Sequence, residues 1–116
     1  MIEGLEVRLD QLAALAQTTT YGALARDLNL TGPATIARLT AALEALMEQD
    51  ATLGHPFRAA VVSGRLNQNL PSQGFFAKAT ALGRYHGADP ASYIAAERAA
   101  LRTFTLAQIL HRGPGE

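Results

Sequence analysis

The side chains best suited to contact a ligand are concentrated in one polar segment, residues 64–74. An arginine is accompanied there by several amides, whose donors and acceptors can position a phosphate backbone. The polar side chains with this capacity are Arg65, Asn67, Gln68, Asn69 and Gln73. The segment spans eleven residues between apparent structural elements. That length favours a functional loop over a plain connection, although an ordinary solvated loop is the alternative.

The distribution of charge points to the same part of the chain. No carboxylate occurs between Asp50 and Asp89, and the basic residues in this interval are Arg58, Arg65, Lys78 and Arg84. Residues 1–58 carry seven acidic and four basic side chains, whereas residues 59–116 carry three acidic and six basic ones. The net charge is zero, which argues against a strong non-specific nucleic-acid binder. The asymmetry indicates a mildly electropositive surface, and a chance gap between carboxylates is the alternative.

Residue types that serve catalysis or metal binding do not form a recognisable set. The chain has no cysteine, which excludes thiolate nucleophiles, disulfides and cysteine-based zinc sites. His55, His86 and His111 are far apart in the sequence, and Ser63 has no evident base near it. A glycine-rich phosphate loop is absent from the sequence as well. We therefore expect a protein that is not an enzyme and that uses no cofactor and no metal.

Length and composition indicate one folded, soluble domain. The chain has 116 residues, of which 48% are hydrophobic and 17% are charged, and such a chain can bury one core. No apolar run approaches the roughly 20 residues that span a bilayer, and the first residues lack the basic-then-apolar order of a signal peptide. We expect a winged-helix-like domain over residues 1–112, a flexible tail over residues 113–116, a cytoplasmic location and no membrane partner.

The pattern of apolar residues predicts a mainly α fold. Apolar residues at steps of three and four indicate amphipathic helices, Thr20 is a suitable N-cap, and Pro33 and Pro90 suit first helical positions. Paired valines and alternation predict a strand over residues 57–63, with the polar segment as the tip of a short β-hairpin. The predicted helices cover residues 2–16, 21–28, 33–53, 75–82 and 90–111.

The third predicted helix has an alanine-rich side opposite its leucine stripe. This alanine side consists of Ala34, Ala37, Ala41 and Ala45. Arg38 is the one side chain beside it that can bind a base edge or a phosphate. Helices that read the major groove usually present several Arg, Lys, Asn or Gln side chains. The alanine side therefore favours close packing of another helix, either the last helix of the chain or one from a partner subunit.

The order of elements is that of a helix-turn-helix followed by a wing, and several short motifs accompany it. These motifs are Thr19-Thr20-Tyr21-Gly22-Ala23-Leu24-Ala25, Ala37-Arg38 and Ala60-Val61-Val62. Over residues 18–83 the chain resembles the DNA-binding domain of alkylguanine-DNA alkyltransferases and alkyltransferase-like proteins. That family opens its helix-turn-helix with Thr-Tyr-Gly-x-Ile-Ala, carries Ala-Arg-Ala-Val on its recognition helix and continues into Pro-Cys-His-Arg-Val-Val. The resemblance implies a winged-helix fold and DNA binding.

The chain departs from that family at the reactive residues. The Pro-Cys-His-Arg motif falls on Phe57-Arg58-Ala59-Ala60, so the acceptor cysteine and its histidine are both missing. Alkyl transfer requires an activated thiolate, which excludes this chemistry. Arg38 is the counterpart of the arginine that enters the base stack in the family and helps to extrude a nucleotide, a step that also needs a receiving pocket.

Two hypotheses about function follow from the sequence. The first is a non-catalytic winged-helix-like protein that binds nucleic acid, with DNA as its partner, through the wing loop and the recognition helix. Its expected contact residues are Arg38, Arg58, Arg65, Asn67, Asn69 and Lys78. The second is a protein-interaction or regulatory module, with a homodimer as one form, that makes no contact with nucleic acid. Zero net charge and the alanine side of the third helix favour the second hypothesis.

Overall fold

The computed structural model describes residues 2–66 and 68–112; the expected contact residue Asn67 and the expected tail 113–116 lie outside this part. The described chain is mainly helical, with one small parallel sheet of two strands. None of the helices in this part combines the length and the apolar run that a bilayer crossing requires. The elements are α1 (Leu5–Ala14), β1 (Thr19–Thr20), α2 (Tyr21–Asp27), α3 (Thr35–Leu53), a 3-10 helix (Arg58–Val61), β2 (Val62–Ser63), α4 (Gln73–Ala81) and α5 (Pro90–Arg112).

The core is formed by the leucine faces of the long helices and by the segment between α3 and β2. α5 packs against α1 and the 3-10 helix, and α3 packs against α2, α4 and the 3-10 helix. The alanine side of α3 is exposed and lies under no other helix of the described chain. The large side chains that are completely or almost completely buried include Leu5, Leu9, Leu12, Leu24, Leu39, Leu46, Met47, Phe57, Ile94 and Leu101.

Two helix starts form as the sequence predicts. Thr20 Oγ1 accepts a hydrogen bond from the Ala23 amide at 3.1 Å, which satisfies one of the free donors at the start of α2. At the start of α5, Oδ2 of Asp89 accepts from the amide of Ser92 at 3.0 Å and from its hydroxyl at 2.9 Å. The hydrogen bond from the backbone amide has the larger effect, and together the two bonds lower the pKa of Asp89 below its ordinary value.

The start of α3 differs from the prediction. The helix begins at Thr35, because Ala34 takes a left-handed conformation with φ of +59°. The hydroxyl of Thr35 donates to the carbonyl of Gly32 at 2.7 Å, and this bond closes a tight turn around Pro33. Pro33 therefore lies in the turn rather than in the first turn of the helix. α3 ends at Leu53, as predicted, with Gly54 at a φ of +71°.

The predicted strand over residues 57–63 and the β-hairpin are wrong within the described residues. Of these residues only Val62–Ser63 forms a strand, and it pairs in parallel with Thr19–Thr20. The preceding residues form the 3-10 helix because carboxylates take up the backbone donors that a strand would pair. The Phe57 amide donates to Glu97 Oε2 at 2.8 Å, and the Arg58 amide donates to Asp50 Oδ2 at 3.0 Å. The chain after β2 then leads directly into α4, without a returning strand in the described part.

Asp50 is the buried charge on which this segment depends. Its side chain is 2% exposed and forms an ion pair with Arg58 at 2.9 Å. Arg58 also pairs with Glu6 of α1 at 2.9 Å and donates to Gln49 Oε1 at 2.8 Å. Burial alone would lower the pKa of Arg58, but its hydrogen bonds and the charges of Asp50 and Glu6 raise it above the ordinary value. A buried carboxylate persists only when it is paired in this way.

We expect Asp50→Ala to reduce the free energy of unfolding by about 3 kcal/mol, because it leaves a largely buried guanidinium and a backbone amide without their acceptor. Asp27→Ala is the matched control, since Asp27 forms an exposed pair with Arg8 at 3.4 Å and should cost less than about 1 kcal/mol. Urea unfolding followed by circular dichroism measures both losses. Equal losses would contradict the role of Asp50.

Candidate nucleic-acid interface

An open cleft of about 720 Å³ lies where α2, the start of α3 and the chain after β2 meet. We call it the arginine cleft. Arg26 and Arg65 reach it from two separate elements, and no carboxylate is among its lining residues. Neither guanidinium has a carboxylate partner within residues 2–66 and 68–112. The lining residues are Thr20, Tyr21, Gly22, Arg26, Ile36 and Arg65.

The walls of the arginine cleft are held together by contacts between distant parts of the chain. The Tyr21 hydroxyl and Ser72 Oγ are hydrogen-bonded at 3.0 Å, which joins the start of α2 to the residue before α4. Nη1 of Arg26 lies 3.7 Å from the position that a Cβ would take at Gly22. The Arg26 guanidinium therefore lies beside the first turn of α2, while the exposed side chain of Ile36 adds an apolar wall.

The loop that carries Arg65 is fastened at both ends. The Gly64 amide donates to the Leu70 carbonyl at 2.9 Å. Within this closure, Asn69 Oδ1 accepts from Thr18 Oγ1 and from Ser63 Oγ, both at 3.0 Å. Asn69 has a φ of +66°, a left-handed conformation that asparagine tolerates better than most residues. The expected contact residue Asn69 is thus the anchor that shapes loop 64–70.

Arg98 of α5 adds three hydrogen bonds to residues at and before the base of this loop. Its guanidinium donates to the carbonyls of Ala60 at 2.7 Å and Asn69 at 2.8 Å, and to Ser63 Oγ at 3.2 Å. Its partners are neutral, and burial lowers the pKa of Arg98 below its ordinary value. Sequence reasoning missed Arg98, although a signal was present. It lies on the same helix face as Ile94 and Leu101, so it interrupts an apolar stripe.

The other expected contact residues fall into two groups, those that pair with a carboxylate of the protein and those that do not. Arg38 is exposed on the first turns of α3, where Nη2 donates to the Thr31 carbonyl at 2.7 Å, and it keeps donors for a ligand. Arg58 forms ion pairs with Asp50 and Glu6 and does not line the arginine cleft. Lys78 of α4 forms an ion pair with Glu48 of α3. Arg38 and Arg65 therefore stay available to an anion, whereas the charges of Arg58 and Lys78 are compensated within the protein.

Arg26 is the second residue that sequence reasoning missed. Nothing in its local sequence distinguishes it from any basic residue near the end of a short helix, where it complements the helix dipole. It comes close to Arg65 because β1 pairs in parallel with β2, in the register Thr19 to Val62 and Thr20 to Ser63. This long-range pairing brings loop 64–70 beside α2, and it has no signature in the sequence.

A second groove, of about 520 Å³, lies between α1, the end of α3 and the C-terminal half of α5. Its rim is apolar, with the exposed side chains of Val7, Leu53 and Ile109, and the Asp50–Arg58 pair lies among its lining residues. It shares no lining residue with the arginine cleft. Among the described residues, no set of three or more histidine, aspartate or glutamate side chains could hold a metal ion.

We expect Arg98→Ala to loosen loop 64–70, because the variant removes three hydrogen bonds from a charged donor. The free energy of unfolding should fall by about 2 kcal/mol, and amide exchange of Gly64 should accelerate by at least about tenfold through local opening. Arg102→Ala, one turn further along α5, is the control, since Arg102 donates only to the exposed Ala14 carbonyl at 3.2 Å. Unchanged Gly64 exchange in Arg98→Ala would show that the loop is held by other contacts.

Comparison with known proteins adds no further evidence about function. No family model, curated protein or solved structure matches this chain. The resemblance to alkyltransferases therefore depends on the short motifs quoted above.

Proposed function

We propose that this protein is a non-catalytic, winged-helix-like domain that binds nucleic acid at the arginine cleft. In this assignment α2 and α3 form the helix-turn-helix, and loop 64–70 takes the position of the wing. The observation that carries the proposal is the convergence of Arg26 and Arg65 on one open cleft lined by no carboxylate. Guanidinium groups bind phosphate oxygens in a bidentate manner and stay charged at any physiological pH.

The charge arrangement favours a phosphate backbone over direct reading of base sequence. Arg26, Arg38 and Arg65 are exposed and have no carboxylate partner in the described part of the chain. Around Arg38 the first turns of α3 expose Ile36, Ala37 and Ala41, whose side chains cannot hydrogen-bond to base edges. Contacts to phosphates fix the position of a protein on a duplex but carry no sequence information. We therefore propose binding with weak sequence preference and modest affinity.

Salt dependence gives the direct test of this proposal. If three arginines each displace one counterion from duplex DNA, the logarithm of the binding constant should fall with a slope of about −2.7 against the logarithm of salt concentration. Affinity should then decrease about 40-fold between about 50 and about 200 mM salt. Fluorescence anisotropy with a short labelled duplex measures this slope. The absence of binding at about 50 mM salt would refute the proposed function.

Single substitutions connect the binding to the cleft. We expect Arg26→Ala and Arg65→Ala each to weaken binding and to reduce the salt slope by about 1, since each removes one phosphate contact. Arg102→Ala changes the net charge by the same amount outside the cleft and should leave the slope unchanged. An equal effect of all three variants would indicate a response to net charge alone and would contradict binding at the arginine cleft.

The homodimer stays the second candidate, because the exposed alanine side of α3 is not covered by the last helix. A partner helix could approach this side closely, since alanine side chains leave little steric bulk. Sedimentation of the purified protein distinguishes the two cases. A dimer that Ala41→Arg dissociates would support the second candidate. A monomer that binds DNA with the salt dependence above would contradict it.

A further inference from the structure

The tip of loop 64–70 presents an apolar side chain to solvent. Leu66 is 89% exposed, the highest value among the large apolar side chains of the described residues. A single exposed leucine is common on protein surfaces. Leu66 differs in its surroundings, because it directly follows Arg65 of the arginine cleft in a loop that the hydrogen bond from the Gly64 amide to the Leu70 carbonyl closes.

The described residues at the base of this loop are fixed by hydrogen bonds. Its ends are joined by the Gly64–Leu70 hydrogen bond, and its base is held by Asn69, Ser63 and Arg98. Because the base is fixed, the exposed Leu66 side chain projects from a defined position beside Arg65. The neighbouring guanidinium limits the partner to one that carries negative charge beside an apolar interior.

Duplex DNA combines these two properties, since its phosphates surround a stack of apolar base faces. Proteins that bind the minor groove frequently insert a leucine, isoleucine or phenylalanine between two base pairs and so kink the duplex. Arginines beside the wedge are favoured by the negative potential of a narrow minor groove. The alanine side of α3 has few side chains that could read base edges directly. In such a case deformation of the duplex can contribute to recognition.

We propose that Leu66 is a wedge that inserts between two base pairs of a bound duplex and unstacks them, while Arg65 binds the adjoining phosphate. This inference rests on the proposed function of the arginine cleft. It adds a deformation of the DNA that phosphate contacts alone do not produce. It also implies a preference for pyrimidine–purine steps such as T-A, which are the easiest to unstack.

Fluorescence of 2-aminopurine placed within a T-A step of a short duplex tests the wedge, because unstacking raises the emission of this base. We expect the protein to raise the emission and Leu66→Ala to abolish the rise. The same variant should weaken binding by about threefold to tenfold, since the burial of the leucine is partly offset by the cost of unstacking. Its salt slope should be unchanged, because no phosphate contact is lost.

Two further variants test whether the changes in emission and affinity depend on an apolar side chain at position 66. Leu110→Ala removes another exposed leucine, 80% exposed on α5, and should change neither emission nor affinity. Leu66→Met should retain most of the rise, because a large apolar side chain is kept. Salt-dependent binding with flat emission, or an equal rise in Leu66→Ala, would overturn the wedge and leave the proposed function standing. No binding at low salt would overturn both.

Discussion

The Asp50 carboxylate, buried at the end of α3, determines the path of the chain that follows. It accepts hydrogen bonds from both the amide and the guanidinium of Arg58. The chain therefore forms a 3-10 helix where its sequence favours a strand. Glu97 of α5 acts in the same way on the Phe57 amide and also binds Arg84 at 2.9 Å. Because buried amides must find acceptors, these two carboxylates replace the neighbouring strand that this segment lacks. β2 and loop 64–70 are placed by this arrangement.

The same pairing decides which positive charges can act on a ligand. Arg8, Arg58, Lys78 and Arg84 each lie against a carboxylate, and Arg98 is turned towards carbonyl groups in the interior. The cations that remain exposed near α2 and α3 are few, but two of them, Arg26 and Arg65, line one cleft. A chain with zero net charge can thus present a locally cationic surface without a strongly basic composition.

Local signals in the sequence predict that the helices exist and roughly where they lie, but they do not predict the arginine cleft. The leucine periodicity, the Thr20 cap and the Asp89–Pro90 start are properties of neighbouring residues, and each appears in the structure. The 3-10 helix and the parallel strand pair depend on Asp50, Glu97 and Thr19; Asp50 lies 8 residues from Arg58, and Glu97 lies 40 residues from Phe57. Paired valines at 61 and 62 favoured a longer strand, and tertiary hydrogen bonding overrode that propensity. Arg26 escaped notice for the same reason, since only the strand register brings it near Arg65.

The parallel strand pair has a consequence for the order in which the protein assembles during synthesis. β1 emerges from the ribosome long before β2, and the arginine that fastens the loop beyond β2 belongs to α5, the last helix. The helices α1 to α3 can therefore acquire their local structure early, while the arginine cleft stays incomplete until almost the whole described chain has been synthesised. The binding site that we propose would thus form only after α5 has been synthesised.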